Sequence, residues 1–136
     1  MEAQRIMNST TKNGVSMKSV LIVDDSAEVR EMLNDFITMQ GYKTETAENG
    51  ARALEIVRKF KPDVAIVDIE MPEMNGLEFA RRVLDSERRF PIIIISAYLE
   101  KYSLEYIRSL GIKSILRKPI NLMQLHEEIQ TALANA

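Results

Sequence analysis

The chain has 136 residues, 18 Lys plus Arg against 20 Asp plus Glu, one His and neither Cys nor Trp. At roughly 100 to 200 residues per domain this is one domain, and a 46% hydrophobic content supplies a real core. A net charge of −2 with no basic stripe argues against a nucleic-acid partner. The longest aliphatic runs, Val20 to Val23 and Ile92 to Ile95, are far short of the roughly 18 residues that a membrane span needs. Without cysteine there are no disulfides, thiol nucleophiles or Cys zinc sites, which makes the cytoplasm the expected location.

Residues 1–17 are rich in Ser, Thr and Asn and carry no apolar run suited to a signal peptide, so they predict a mobile arm ahead of one domain over 18–136. From there, short apolar runs alternate with helical periodicity. Strands are expected at Ser19 to Val23, Lys43 to Thr46, Val64 to Val67, Ile92 to Ile95 and Ser114 to Leu116. Helices are expected at Ala27 to Met39, Ala51 to Phe60, Gly76 to Leu84, Leu99 to Leu110 and Leu122 to Leu133. Gly41 and Gly111 terminate helices, Asn121 can cap the last one, and Pro62 and Pro91 break the chain before strands. Runs that are apolar at every position suit strands covered on both faces, so the pattern predicts a parallel, doubly wound α/β sheet.

Ligands of such sheets sit beyond the carboxyl ends of the strands. Asp24 and Asp25 follow the first strand, Asp68 the third, Ser96 the fourth and Lys118 the fifth. Clustered carboxylates repel, and a hard divalent cation such as Mg²⁺ relieves that repulsion while leaving room for phosphoryl oxygens. One carboxylate could then attack phosphorus, with Lys118 and Ser96 contacting the remaining oxygens. Each residue also has a plain structural reading: Asp24 and Asp25 as a helix start, Asp68 as a loop acid, Lys118 as a surface lysine, Ser96 as an ordinary strand end.

Taken together, Asp24-Asp25, Asp68 with Met71-Pro72 and Gly76, Ser96-Ala97 and Lys118-Pro119 resemble the receiver domain of two-component response regulators, over about residues 18 to 134. The resemblance implies a flavodoxin-like (βα)5 fold with strand order 2-1-3-4-5, as in stand-alone chemotaxis regulators. It implies phosphorylation on Asp68 by a sensor histidine kinase or a histidine phosphotransfer protein. It also implies Mg²⁺ held by the side chains of Asp25 and Asp68, by Asp24 partly through water, and by the backbone carbonyl of Glu70. The domain would catalyse only its own phosphorylation and dephosphorylation.

Two positions depart from the family pattern. Ser96 stands where Thr is commoner, and Ile115 stands three residues before the lysine, where receivers usually carry Tyr or Phe. The usual aromatic readout is therefore missing, and output is expected through Ala97 to Leu99 and the fourth helix, with Leu104 exposed on it. Tyr98, Tyr102 and Tyr106, four residues apart, read as edge-of-core packing, and His126 reads as structural. A cis Lys118-Pro119 bond is expected, since it would aim the lysine back into the site. The expected role is a protein-interaction switch or relay intermediate acting on a downstream protein. A receiver segment of a larger transcription regulator or hybrid kinase reads the same way. A phosphatase using an aspartyl phosphate would need an Asp-x-Asp pattern after the first strand, and a nucleotide-binding module a Gly-rich loop; neither is found.

Overall fold

The structure is a computed structural model that describes residues 11–12 and 15–136. Most of the expected arm, residues 1–10 and 13–14, lies outside the described residues, and Thr11–Lys12 pairs antiparallel with Val15–Ser16. The domain that follows contains five strands: β1 (Ser19–Val23), β2 (Lys43–Ala47), β3 (Val64–Asp68), β4 (Ile92–Ser96) and β5 (Ser114–Arg117). Between and after them lie α1 (Ala27–Met39), α2 (Gly50–Lys59), α3 (Gly76–Leu84), α4 (Leu104–Ser109) and α5 (Leu122–Ala134). The strands are all parallel, in the order β2-β1-β3-β4-β5, which is the predicted 2-1-3-4-5 arrangement.

Alternation along the strands divides the apolar residues into two cores. Leu21, Val23, Ala65, Val67, Ile92 and Ile94 face one side and pack with Ala53, Phe79, Ala80, Val83 and Ile107. Val20, Ile22, Val64, Ile66, Ile93, Ile95 and Leu116 face the other and pack with Leu33 and Ile37 of α1 and Leu125 and Ile129 of α5. This explains why the central strands are apolar at every position. The edge strand β2 is the exception, with Glu45 and Thr46 exposed.

Each long helix begins on a side-chain cap: Ser26, Asn49, Asn75 and Asn121 accept a hydrogen bond from the backbone N–H three residues on. Gly41 and Gly111 leave α1 and α4 at φ 98° and 100°, a conformation that costs a residue with Cβ.

The fourth helix corrects the sequence reading. Leu99 to Leu110 is not one helix: Leu99–Lys101 forms a 3₁₀ turn, Tyr102 is extended at φ −124° and ψ 152°, and α4 starts only at Leu104. Ser103 causes the break by capping the new helix, its side chain accepting from the Tyr106 N–H at 3.0 Å. The interruption also rotates the apolar face. Ile107 becomes the buried anchor, and Tyr98 and Tyr106, read as edge-of-core residues, are exposed while Tyr102 alone is half-buried. Leu104 is exposed at 37%, as expected.

Candidate functional site

Sheet order reverses between β1 and β3, so their carboxyl ends flank a crevice. Ladder pairing runs past the apolar residues there: Asp68 pairs with Ile95 and Ser96 with Arg117. The Asp24 N–H donates to the Ala47 carbonyl at 3.1 Å, and the Lys118 N–H donates to the Ser96 carbonyl at 2.9 Å. The backbone at Asp24, Asp68, Ser96 and Lys118 is thus fixed by the sheet. Among the described residues, the buried polar side chains are Asp24, Asp68 and Ser96, and all three lie at this rim. Burying carboxylates is unfavourable unless they are compensated, so their concentration at one place marks a functional site.

Lys118 supplies part of the compensation. Its Nζ lies 2.9 Å from Asp24 Oδ2 and 3.4 Å from Asp68 Oδ2. Burial pulls the ammonium down, but the contacts with Asp24 and Asp68 outweigh it and hold Lys118 above the ordinary lysine value. The Lys118-Pro119 peptide is cis, as expected. Asp24 is further tied in: its Oδ1 accepts from the Ser26 N–H at 2.9 Å, and Arg30 donates to its carbonyl oxygen at 2.6 Å. Asp24 lies before the helix rather than on it: the cap of α1 is Ser26 and the acid of its first turn is Glu28.

Asp68 is left less satisfied. Its Oδ1 is buried without a hydrogen-bond partner. Burial, then the Asp24 charge, push its carboxyl up to about 7 against the pull of Lys118, with Glu70 adding to the rise. One carboxylate oxygen each from Asp24, Asp25 and Asp68 lie within 4.8 Å of one another, with Asp25 exposed at the mouth. An acid-only donor set with an unpartnered buried oxygen fits a hard divalent cation. Close approach of α3 completes the pocket floor: a Cβ on Gly76 would collide with the Asp68 carbonyl oxygen.

Ser96 is the hydroxyl nearest in role to the expectation, but it is not free. Its Oγ donates to Glu70 Oε2 at 2.7 Å and accepts from the Tyr98 N–H at 2.9 Å. Tyr102 packs partly buried against the core, its phenol pushed up to about 12 by burial and then by the Glu70 carboxylate. Sequence reasoning gave Glu70 only a backbone role and missed its side-chain bond to Ser96, while Tyr102 packs at the edge of the core as expected. Of the expected output residues, Ala97 and Leu104 are exposed, and Ile115 is half-buried against the core that holds Val67 and Ile94. A cavity of about 590 Å³ lined by Asp63, Phe90, Pro91 and Lys113 lies at the opposite, amino-terminal end of the sheet, away from the carboxylates.

Residues 20–130 match the response regulator receiver domain. The chain belongs to that family. Among relatives, this receiver is 35% identical over 121 residues to the polar-differentiation response regulator DivK of Brucella anthropi, covering 88% of this chain and 98% of DivK. It is 37% identical to the regulatory protein AtoC of Escherichia coli over 87% of this chain but only 26% of AtoC. Among solved structures, the response regulator TrrA of Thermotoga maritima, in complex with Mg²⁺ and BeF, superposes with a TM-score of 0.78 at 33% identity, covering 86% of this receiver and all of TrrA. The fold and role expected from the sequence, a phosphoryl-accepting receiver of two-component signalling, are thereby established, and receivers bind a divalent metal at an acidic pocket of this kind.

Proposed function

We propose that Asp68 is the phosphoacceptor, that Asp24, Asp25, Asp68 and the Glu70 carbonyl hold Mg²⁺, and that Ser96 and Lys118 bind the phosphoryl oxygens. The observation that carries this reading is the Asp68 side chain, buried at 3% exposure with one unpartnered oxygen in a cluster of three carboxylates and a lysine. An Asp68 carboxylate oxygen attacks the phosphorus of a phosphohistidine on a sensor kinase or phosphotransfer protein. As the O–P bond forms, the N–P bond breaks and its electron pair stays on the imidazole nitrogen, which takes up a proton. Lys118 keeps a positive charge against the incoming oxygens, and the Ser96 hydroxyl donates to one of them. When bound, Mg²⁺ supplies charge that favours the ionised form of Asp68 and offsets the phosphoryl group. Reading continues by contact with a downstream protein, in the cytoplasm. Among the described residues no helix is long and apolar enough to cross a membrane. The AtoC match, which spans about a quarter of that protein, supports a second reading in which the chain is the receiver segment of a longer regulator.

The test is incubation with Mg²⁺ and acetyl phosphate, followed by assay for a hydroxylamine-labile phosphoryl group. Labelling is expected on Asp68 and is expected to vanish with EDTA. Equal labelling of Asp68→Asn, or labelling indifferent to EDTA, would overturn the assignment.

A further inference from the structure

Three residues, Asp24-Asp25-Ser26, carry the chain from β1 to the start of α1 at Ala27. The sheet holds the first of them, through the Asp24 N–H on the Ala47 carbonyl. Asp24 is fully buried, its Oδ1 accepting from the Ser26 N–H and its Oδ2 paired with the Lys118 ammonium. Asp25 is exposed, yet one of its carboxylate oxygens lies within 4.8 Å of one each from Asp24 and Asp68. Carboxylates at that spacing repel one another, and an exposed one on a short connection can turn away into water. The shape of the connection therefore decides whether Asp25 stays with the cluster.

Arg30, half-buried on α1, grips that connection. Its backbone N–H donates to the Ser26 carbonyl at 3.0 Å, and its Nη1 reaches back to the Asp24 carbonyl at 2.6 Å. Main chain and side chain of one helical residue thus hold both ends of the connection, with Asp25 between them. The Asp24 carbonyl lies past the last ladder pairs of β1, those of Val23 with Ala47 and with Val67. A guanidinium bond to it is charge-assisted, and so stronger than a bond from a neutral donor.

We propose that Arg30 is a positioning residue of the metal centre: by pinning the Asp24 carbonyl it keeps Asp25 turned into the carboxylate cluster, and so sets the affinity for the divalent cation. The bond goes to the main chain, so it takes no carboxylate oxygen from the cation. Lys118 acts differently, on the side-chain oxygens of Asp24 and Asp68, where it offsets charge. Charge and clamp predict opposite signs for Arg30. A positive charge near the cluster opposes a second cation, so losing that charge alone would tighten metal binding, whereas losing the clamp loosens it.

This inference rests on Asp24, Asp25 and Asp68 holding Mg²⁺, and the test separates the two ideas. The ¹⁵N-labelled full chain is titrated with MgCl₂ without a phosphodonor, and the dissociation constant is read from the amide shifts of Asp25 and Ile69. Arg30→Met keeps an unbranched stem and loses the donor. It should raise the constant about tenfold, the usual loss when a partner that orients a metal ligand is removed. Urea unfolding in EDTA establishes that the variant is folded under the titration conditions. If Arg30→Met does not fold, Arg30→Lys carries the test: it keeps the charge but ends one bond short of Nη1, and should raise the constant about threefold. An unchanged or lower constant in the folded variant, with Asp68→Asn binding Mg²⁺ far more weakly than the parent, would refute the positioning role and leave the metal reading intact. A parent that binds Mg²⁺ no better than Asp68→Asn would remove the metal reading and this inference with it.

Discussion

Replacing Asp68 with Asn should stabilise the metal-free protein, by an amount that depends on pH. Burial and the Asp24 charge raise the Asp68 carboxyl from 3.8 to about 7, despite Lys118 at 3.4 Å. The unfolded chain ionises at the ordinary value, so between the two values the folded state holds the extra proton. Stability contributed by this group is therefore complete below about pH 4, falls as pH rises, and is fully lost above about pH 7. A displacement of about three pH units, at about 1.4 kcal/mol per unit, makes the penalty about 4 kcal/mol at pH 8 and about 2 kcal/mol at pH 5. Asn keeps the size of Asp and cannot ionise. Asp68→Asn should accordingly gain most of that difference, and gain about twice as much at pH 8 as at pH 5. Urea unfolding followed by far-ultraviolet circular dichroism, in EDTA at both pH values, measures it, with an unchanged m-value showing that the two proteins unfold alike. Equal gains at pH 5 and pH 8, or none at pH 8, would refute the account of Asp68 as a carboxylate held in an unfavourable place.

Other substitutions probe the surroundings. Gly76→Ala should cost about 2 kcal/mol or more in the same unfolding assay and reduce acetyl phosphate labelling, because its Cβ meets the Asp68 carbonyl oxygen and backbone cannot swing aside. Ser96→Ala should still be labelled on Asp68 but lose the change in amide exchange over 98–110 that beryllofluoride induces in the parent. Leu104→Glu should leave stability within about 0.5 kcal/mol, since the side chain is exposed, and leave labelling unchanged while weakening capture of the downstream protein. A Leu104→Glu protein with parental affinity for that partner would remove α4 from the output surface.

The fold was legible because its signals are redundant. Ile92 to Ile95 is apolar at all positions, and the structure buries those residues alternately in two cores, so the inference to a doubly covered strand rested on the cause itself. Strand ends were read one residue short at β2, β3, β4 and β5, since apolarity was the criterion and Asp68, Ser96 and Arg117 are polar residues that pairing draws into the ladder. The helix expected over Leu99 to Leu110 failed for a comparable reason. Its leucines and tyrosines satisfy a helical period, but Ser103 can bond locally to the Tyr106 N–H, and that choice is invisible to periodicity. The five rim residues were found from strand ends alone. Glu70 was named only for its carbonyl, because no spacing rule says which way a side chain two residues beyond a strand will turn.

The largest discrepancy lies between Ser96 and Leu104, and its position has a physical meaning. Elsewhere in the described chain, local preference and tertiary packing agree: caps, glycine exits and apolar alternation support the same sheet. Between Ser96 and Leu104 they do not, and there a buried hydroxyl is bonded to a carboxylate, a 3₁₀ turn interrupts a helix-forming sequence, and large residues such as Tyr98 are left exposed. In this segment Ala97, Tyr98, Glu100, Lys101 and Ser103 are exposed and only Leu99 and Tyr102 reach the core, in contrast to the fully buried strand β4 that carries Ser96. Asp68 supplies the opposing condition, since its unfavourable burial can be relieved by a change in charge at the site but not by repacking of the strand that holds it. A rigid sheet that presents a strained carboxylate next to a weakly committed connection is therefore suited to turn a local change of charge into a displacement of α4, whichever partner reads it.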